Sequence, residues 1–286
     1  EADGRINDQM MWMHAGIRDQ LTHMNRELKD AAPGVAISGQ MTHCGNFSKN
    51  RKLQRLKRPL GPSRQFNSLG VASGMPFAGA MTVRDIDYLV QTYADAARLM
   101  KETGFDAVEI HFSHGYGLSQ FISPRTNRRT DEYGGRLPLR ALEAVRKAVG
   151  GDFPILGKIG LTDGIKDGLH IDEAIEVAAM LDTAGIDALI CSGGTSSFNP
   201  MLYFRGDTLE KGLIEVEKNP IMKLGLKLIG SRMFRFYPYE ELYFLDDAKR
   251  VRDRVNCQMV YIGGCTDVPS IEKVMAEGFD LEAEAS

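Results

Sequence analysis

The sequence predicts an α/β fold of the (β/α)8 TIM-barrel type, and three observations predict it. Short apolar runs alternate with segments of helical period at the spacing of βαβ units, which demands a parallel sheet. Polar residues close successive runs at their C-terminal ends: Gln40, His111 with His114, Lys158, Ser192 and Gly263. A barrel collects its site from many strand ends in this way, whereas an open doubly wound sheet places it at one switch point. No Gly-x-Gly-x-x-Gly turn follows any of the runs, which weakens the dinucleotide-binding alternative.

The elements follow in order. Met10, Met13, Ile17, Leu21 and Met24 recur at helical spacing and stop at Ala31-Ala32-Pro33-Gly34, as a helix ended by breakers does. Residues 35–40 are short, partly β-branched and strand-like, and run into the polar cluster Gln40-Met41-Thr42-His43-Cys44-Gly45. From Asn46 to about Met81 the chain is first basic, then rich in Gly, Pro and Ser without a sustained period. A long excursion loop of the functional kind is expected there. Thr82 caps a helix to about Thr103, Gly104 punctuates, and residues 105–111 form a second buried strand. A helix over 137–149 leads to a strand at 153–159, and a helix over 171–184 leads through Gly185 to a strand at 186–191. A helix over about 239–254 feeds a strand at 258–262, then Gly263-Gly264, a helix over 268–277 and the start of a strand at Phe279-Asp280. The sum is five whole strands and a fragment of a sixth.

Composition removes several function classes. The chain has 286 residues, 43% hydrophobic and 26% charged, enough to build a sizeable core. With 35 basic and 38 acidic residues, no global field draws it to nucleic acid or an anionic membrane, and the expected partner is a small molecule. Apolar stretches are broken before the roughly 18 residues a membrane span needs, and no secretory leader opens the chain, so it reads as cytosolic. Cys44, Cys191, Cys257 and Cys265 match no disulfide framework and no zinc or iron-sulfur spacing, and are read as reduced thiols.

The densest chemistry lies in His111-Phe112-Ser113-His114-Gly115-Tyr116 and its continuation to Gly135. Two histidines three apart and a tyrosine at a strand end can converge on one ligand. A zinc site is the rival reading, but no third ligand sits at a familiar spacing and no His-Glu-x-x-His occurs.

This run, from Gly104 to Gly135, resembles the Old Yellow Enzyme and NADH:flavin oxidoreductase family. It matches the pattern G-F-D-x-V-E-I-H-x-x-H-G-Y, followed by Q-F-x-S-P-x-x-N-x-R-x-D-x-Y-G-G. The resemblance extends from the helix around Met10 to Gly278. It implies an FMN-bearing barrel that passes hydride from NAD(P)H through the flavin to an activated C=C bond, as in an α,β-unsaturated carbonyl. It makes His111 and His114 the pair that hydrogen-bonds the substrate's carbonyl or phenolate oxygen, and Tyr116 the proton donor. It also assigns Gln40 and Lys158 to the flavin ring and Gly263-Gly264-Cys265 to its phosphate. These residue types suit that chemistry: donors aimed at an oxygen that gains charge lower the barrier, and a phenol is a competent general acid.

The departures are informative too. The family barrel begins with two strands upstream of the helix at Met10, and its eighth strand continues into a Gly-Arg pair that 281–286 do not resemble. The expectation is therefore a single FMN-binding domain over 1–286, truncated at both ends, lacking the first two strands and most of the eighth. Two alternatives stand beside the flavin reductase: a partial barrel with no catalytic role, and a metal-dependent barrel hydrolase using His111 and His114.

Overall fold

The computed structural model describes residues 2–6, 8–47, 52, 58–206, 215 and 235–282. In chain order its strands are β1 (Ser38–Met41), β2 (Leu60–Gly61), β3 (Gln65–Phe66), β4 (Phe77–Ala80), β5 (Ala107–Phe112), β6 (Ile155–Gly160), β7 (Ala188–Ser192), β8 (Gln258–Tyr261) and β9 (Leu281–Glu282). Its α-helices are α1 (Arg18–Ala31), α2 (Val83–Glu102), α3 (Ser119–Ile122), α4 (Leu137–Val149), α5 (Ile171–Thr183), α6 (Leu245–Arg252) and α7 (Val268–Ala276). Six strands form one all-parallel sheet in the order β1-β5-β6-β7-β8-β9, the arc of a (β/α)8 barrel.

One local device builds this sheet three times. Gly104, Gly185 and Gly278 take φ of +95°, +82° and +88° where a helix ends, a conformation glycine adopts without the Cβ penalty. Two residues later an aspartate reaches sideways to the neighbouring strand. Asp106, Asp187 and Asp280 each accept the N–H of one neighbour residue, Ile37, Ile155 and Met259, at 2.9, 2.7 and 2.8 Å. Each aspartate then donates its own N–H to the carbonyl of that same residue, at 2.8, 3.0 and 2.9 Å. The repeated Gly-(Phe/Ile)-Asp triplet thus staples β5 to β1, β7 to β6 and β9 to β8 at their N-terminal ends.

Above the staples, alternation sets the two faces. Val108, Ile110, Phe112, Ile155 and Ile159 are all but fully buried, where α2 packs on β5 and α5 on β6. Each such side chain contributes on the order of 2 kcal/mol. The opposite face of the same strands carries Glu109, His111 and Lys158 and is where a site can form.

Three expectations need correction. The first helix starts at Arg18, not near Met10: the His14 side chain accepts the Gly16 N–H at 3.2 Å and caps a short 3-10 turn, while Met10 and Met11 line a cavity instead. The excursion from Asn46 to Met81 is not a structureless loop, because β4 pairs parallel with β2 and antiparallel with β3. Two-residue strands are too short to carry a period. The helix expected over 239–254 begins only at Leu245, since Leu242 has φ +57° and sends its N–H to the Gly264 carbonyl at 2.7 Å. The basic opening of the excursion at 48–51 and 53–57, and the tail at 283–286, lie outside the described residues.

The second half of the family-like run is scaffold. Arg129 donates to the Met81 and Pro62 carbonyls at 2.6 and 3.2 Å and tethers the small sheet to the barrel. Asn127 donates to the Phe121 carbonyl at 2.7 Å, and buried Tyr133 receives the Arg140 guanidinium at 2.5 Å.

Candidate active site

At the top of β5 the chain folds back on itself. His114 and Gly115 are successive left-handed residues, φ +60° and +73°, and a Cβ on Gly115 would meet Thr195 Oγ1 at 2.9 Å. This turn brings the His114 ring edge-on to His111, centroids 5.0 Å apart. His114 Nδ1 lies 3.3 Å from His111 Nε2, and its Nε2 lies 2.8 Å from Ser192 Oγ at the end of β7. Burial, then the neighbouring His114 and Lys158 charges, hold His111 well below its ordinary value. Burial and Lys158 lower His114 to about 4. Both rings are therefore neutral at pH 7.

Beneath the histidines runs a polar row that register explains. Gln40 pairs with Glu109 across β1 and β5, and Gln40 Nε2 donates to Glu109 Oε1 at 2.6 Å. The same oxygen receives Lys158 Nζ at 3.3 Å, with both side chains less than one-fifth exposed. Glu109 was not singled out from the sequence. Its signal was there, since a residue two before His111 on a strand shares its face.

Tyr116 packs against His111 at 4.9 Å between ring centroids. Its hydroxyl meets the Ser196 side chain, and burial raises its pKa. Ser196 Oγ lies 3.0 Å from the Tyr203 hydroxyl, and the Tyr203 ring lies 4.6 Å from His114. Nothing in the sequence marks Ser196 or Tyr203; a loop after β7 delivers them.

A cavity of about 790 Å³ opens beside these groups. Of the residues singled out from the sequence, His114, Lys158, Ser192, Gly263, Gly264 and Cys265 line it. His111 and Tyr116 stand behind His114, and Gln40 lines a separate cavity of about 120 Å³ with Trp12 and His43. On the far wall, Gly263 and Gly264 have φ of +143° and +71°. A Cβ on Gly264 would strike the Glu240 carbonyl at 2.7 Å. The N–H groups of Gly263, Gly264 and Cys265 have no acceptor among the described residues, so the loop has both room and donors for a phosphate. Burial, then Glu282, push the Cys265 thiol up to about 11, so it is no thiolate at neutral pH. Among the described residues, no three His, Cys, Asp or Glu side chains could jointly hold a metal ion. No described helix is long and apolar enough to cross a membrane.

Residues 1–196 match the profile of the NADH:flavin oxidoreductase / NADH oxidase family. The chain is 33% identical over 271 residues to the 4,4'-dithiodibutanoate disulfide reductase of Rhodococcus erythropolis, covering 91% of this chain and 65% of that protein. It is 31% identical to the NADH oxidase of Thermoanaerobacter brockii, covering 69% of this chain and 27% of that protein. The chain thus spans less than two thirds of the length of either relative. Among solved structures, a 2-naphthoyl-CoA reductase complexed with 2-naphthoyl-CoA superimposes with a TM-score of 0.72 at 21% identity, over 96% of this chain and 39% of that one. Morphinone reductase in complex with tetrahydroNAD gives a TM-score of 0.64 at 19% identity, over 98% of this chain and 71% of that one. These two similarities concern the fold.

Proposed function

The chain belongs to the NADH:flavin oxidoreductase / NADH oxidase family, and on that premise we propose that it is the FMN-binding domain, over 1–286, of a reductase acting on an alkene conjugated to a carbonyl group. The observation that carries this reading is one cavity with neutral His114, hydrogen-bonded to His111 behind it, on one wall and a glycine cradle on the other. When bound, the flavin supplies the transfer of hydride from NAD(P)H to the acceptor. Gly263, Gly264 and Cys265 would hold its phosphate through backbone N–H groups. Lys158, steadied by Glu109, would face its ring, with Gln40 at the other end of the same polar row.

The remaining residues manage the substrate. The His111–His114 pair polarises the carbonyl oxygen, which gains negative charge as the alkene accepts hydride. Tyr116 stays protonated because burial disfavours its phenolate, so it can give up a proton to the adjacent carbon. Its contacts with Ser196 and, through it, Tyr203 extend that donor toward the cavity.

A disulfide is the second acceptor class, favoured by the similarity to the Rhodococcus erythropolis enzyme. With its thiol held near 11, Cys265 would not act by thiol exchange. The test is to load the protein with FMN and reduce it anaerobically with NADH or NADPH. The reduced protein is then mixed with an enone or with 4,4'-dithiodibutanoate while flavin absorbance is followed. Bleaching by a nicotinamide and rapid recovery with the enone are expected. Flavin that neither nicotinamide reduces, or that neither acceptor reoxidises, would overturn the proposal.

A further inference from the structure

The walls of the large cavity carry charge of one sign. Lys158 and Arg205 line it, and among the described residues no aspartate or glutamate does. The ion-pair partners of both cations stand outside the lining: Glu109 lies 3.3 Å from Lys158, and Glu240, itself 66% exposed, lies 3.3 Å from Arg205. A cleft lined by one sign of charge concentrates ligands of the other sign. In the function proposed above, Lys158 faces the flavin ring and Gly263-Gly264-Cys265 take the flavin phosphate, which leaves Arg205 without a task.

Arg205 is held in place by rings. Its guanidinium carbon lies 4.1 Å from the centroid of the Tyr243 ring, with the Tyr237 and Phe244 rings at 5.8 and 5.9 Å, and only 12% of the side chain is exposed. Nε reaches the Leu202 carbonyl at 3.4 Å and Nη1 reaches Glu240 at 3.3 Å, while Nη2 has no acceptor among the described residues. The charge is thus oriented before a ligand arrives, which spares much of the ordering cost of binding. The chain also puts it on the substrate's side of the cavity. Arg205 sits two residues after Tyr203, whose ring centroid lies 4.6 Å from that of His114, on the loop that brings Ser196 to Tyr116. We propose that Arg205 anchors a carboxylate carried by the acceptor, several carbons from the conjugated alkene, with Nη2 donating to one of its oxygens. A planar guanidinium suits a carboxylate better than a point charge does. This rests on the reductase reading and names its substrate class.

The test uses the FMN-loaded chain and a pair of enones, 8-oxonon-6-enoate and its methyl ester, of which only the first is charged. Without a nicotinamide the flavin stays oxidised, so calorimetric titration reads binding alone. Arg205→Met should weaken the carboxylate roughly tenfold or more, the scale of one hydrogen bond to a charged group, and leave the ester within about twofold. Arg205→Lys should recover part of the affinity, because it keeps the charge without the fork. Unchanged ester binding and bound FMN report that the variants fold. Equal affinity of the wild-type chain for acid and ester, or a loss in Arg205→Met shared by both, would overturn the anchor. Two other anions are told apart by the same variant. Loss of bound FMN would assign the guanidinium to the flavin phosphate, and slowing confined to flavin reduction by NADPH would assign it to the dinucleotide; either result removes the acceptor carboxylate. Flavin that no nicotinamide reduces would instead undo the reductase reading, and the titrations would still decide whether Arg205 binds a carboxylate.

Discussion

The two ends of the parallel strands are built on opposite plans. At the N-terminal ends one staple is used three times, with Asp106, Asp187 and Asp280 in the same reciprocal pair of hydrogen bonds. At the C-terminal ends β5, β7 and β8 finish differently: β5 in a left-handed His-Gly turn, β7 in a buried serine, and β8 in two glycines at positive φ. Repetition marks the end that holds the barrel together. Variety marks the end where, in the function proposed here, one cavity presents an oxygen-polarising wall and an anion-binding wall at once.

This contrast can be broken most strongly with pH. His114 titrates near 6.5 when unfolded and is lowered to about 4 in the fold. Between those values the unfolded chain binds the extra proton, so stability falls as the medium is acidified. Complete passage through that window costs on the order of 3 kcal/mol for this ring, and His111 adds to it in the same direction. Urea melts from pH 7.5 down to 4.5 should show the loss, and His114→Asn should flatten it. An equally steep acid loss in that variant would count against a site kept neutral by its surroundings.

Next in size, Tyr116→Phe should slow acceptor reduction by roughly 10²-fold while flavin reduction by NAD(P)H is retained. Stopped-flow traces of the two half-reactions would separate them, and equal slowing in both would remove Tyr116 as the proton donor. At the opposite end, Asp187→Ala should cost about 2 kcal/mol of stability, because the Ile155 N–H and the Arg146 guanidinium lose a charged acceptor. FMN affinity should not change. A large affinity loss would mean that the two ends are not separable.

Gly264→Ala is the smallest change expected to reach the site. Forcing a side chain to φ +71° costs about 1–2 kcal/mol, or roughly tenfold in FMN affinity by fluorescence titration. Arg250→Ala, which breaks an exposed pair with Asp172, should alter stability by less than about 0.5 kcal/mol and calibrates the rest.

Much of this architecture was legible in the chain. The helices at 137–149 and 171–183 were located to within a residue, because long amphipathic segments carry many repeats of the helical period. Five of the six strands of the large sheet were found because apolar runs between breakers are strong signals, whereas the sixth, expected to start at Phe279-Asp280, lies at Leu281–Glu282, with Asp280 spent on the staple to Met259. The small β2-β4-β3 sheet was not, since a two-residue strand has no pattern to read. Likewise the start of α6 was set by the bond from Leu242 to Gly264, more than twenty residues away in sequence.

The sequence by itself determined which residue types gather at the strand ends, because a strand's period of two and a helix's of 3.6 assign each side chain a face. It placed His111, His114, Lys158, Ser192 and the glycine pair at one end of the barrel. Only the tertiary structure decided how they divide. The left-handed turn at His114 sets its ring between His111 and Ser192, register gives Gln40 and Lys158 the same Glu109 oxygen, and the loop after β7 brings in Ser196 and Tyr203. Hydrogen bonds depend on distances of a few tenths of an ångström between segments remote in sequence, and no local period encodes those distances.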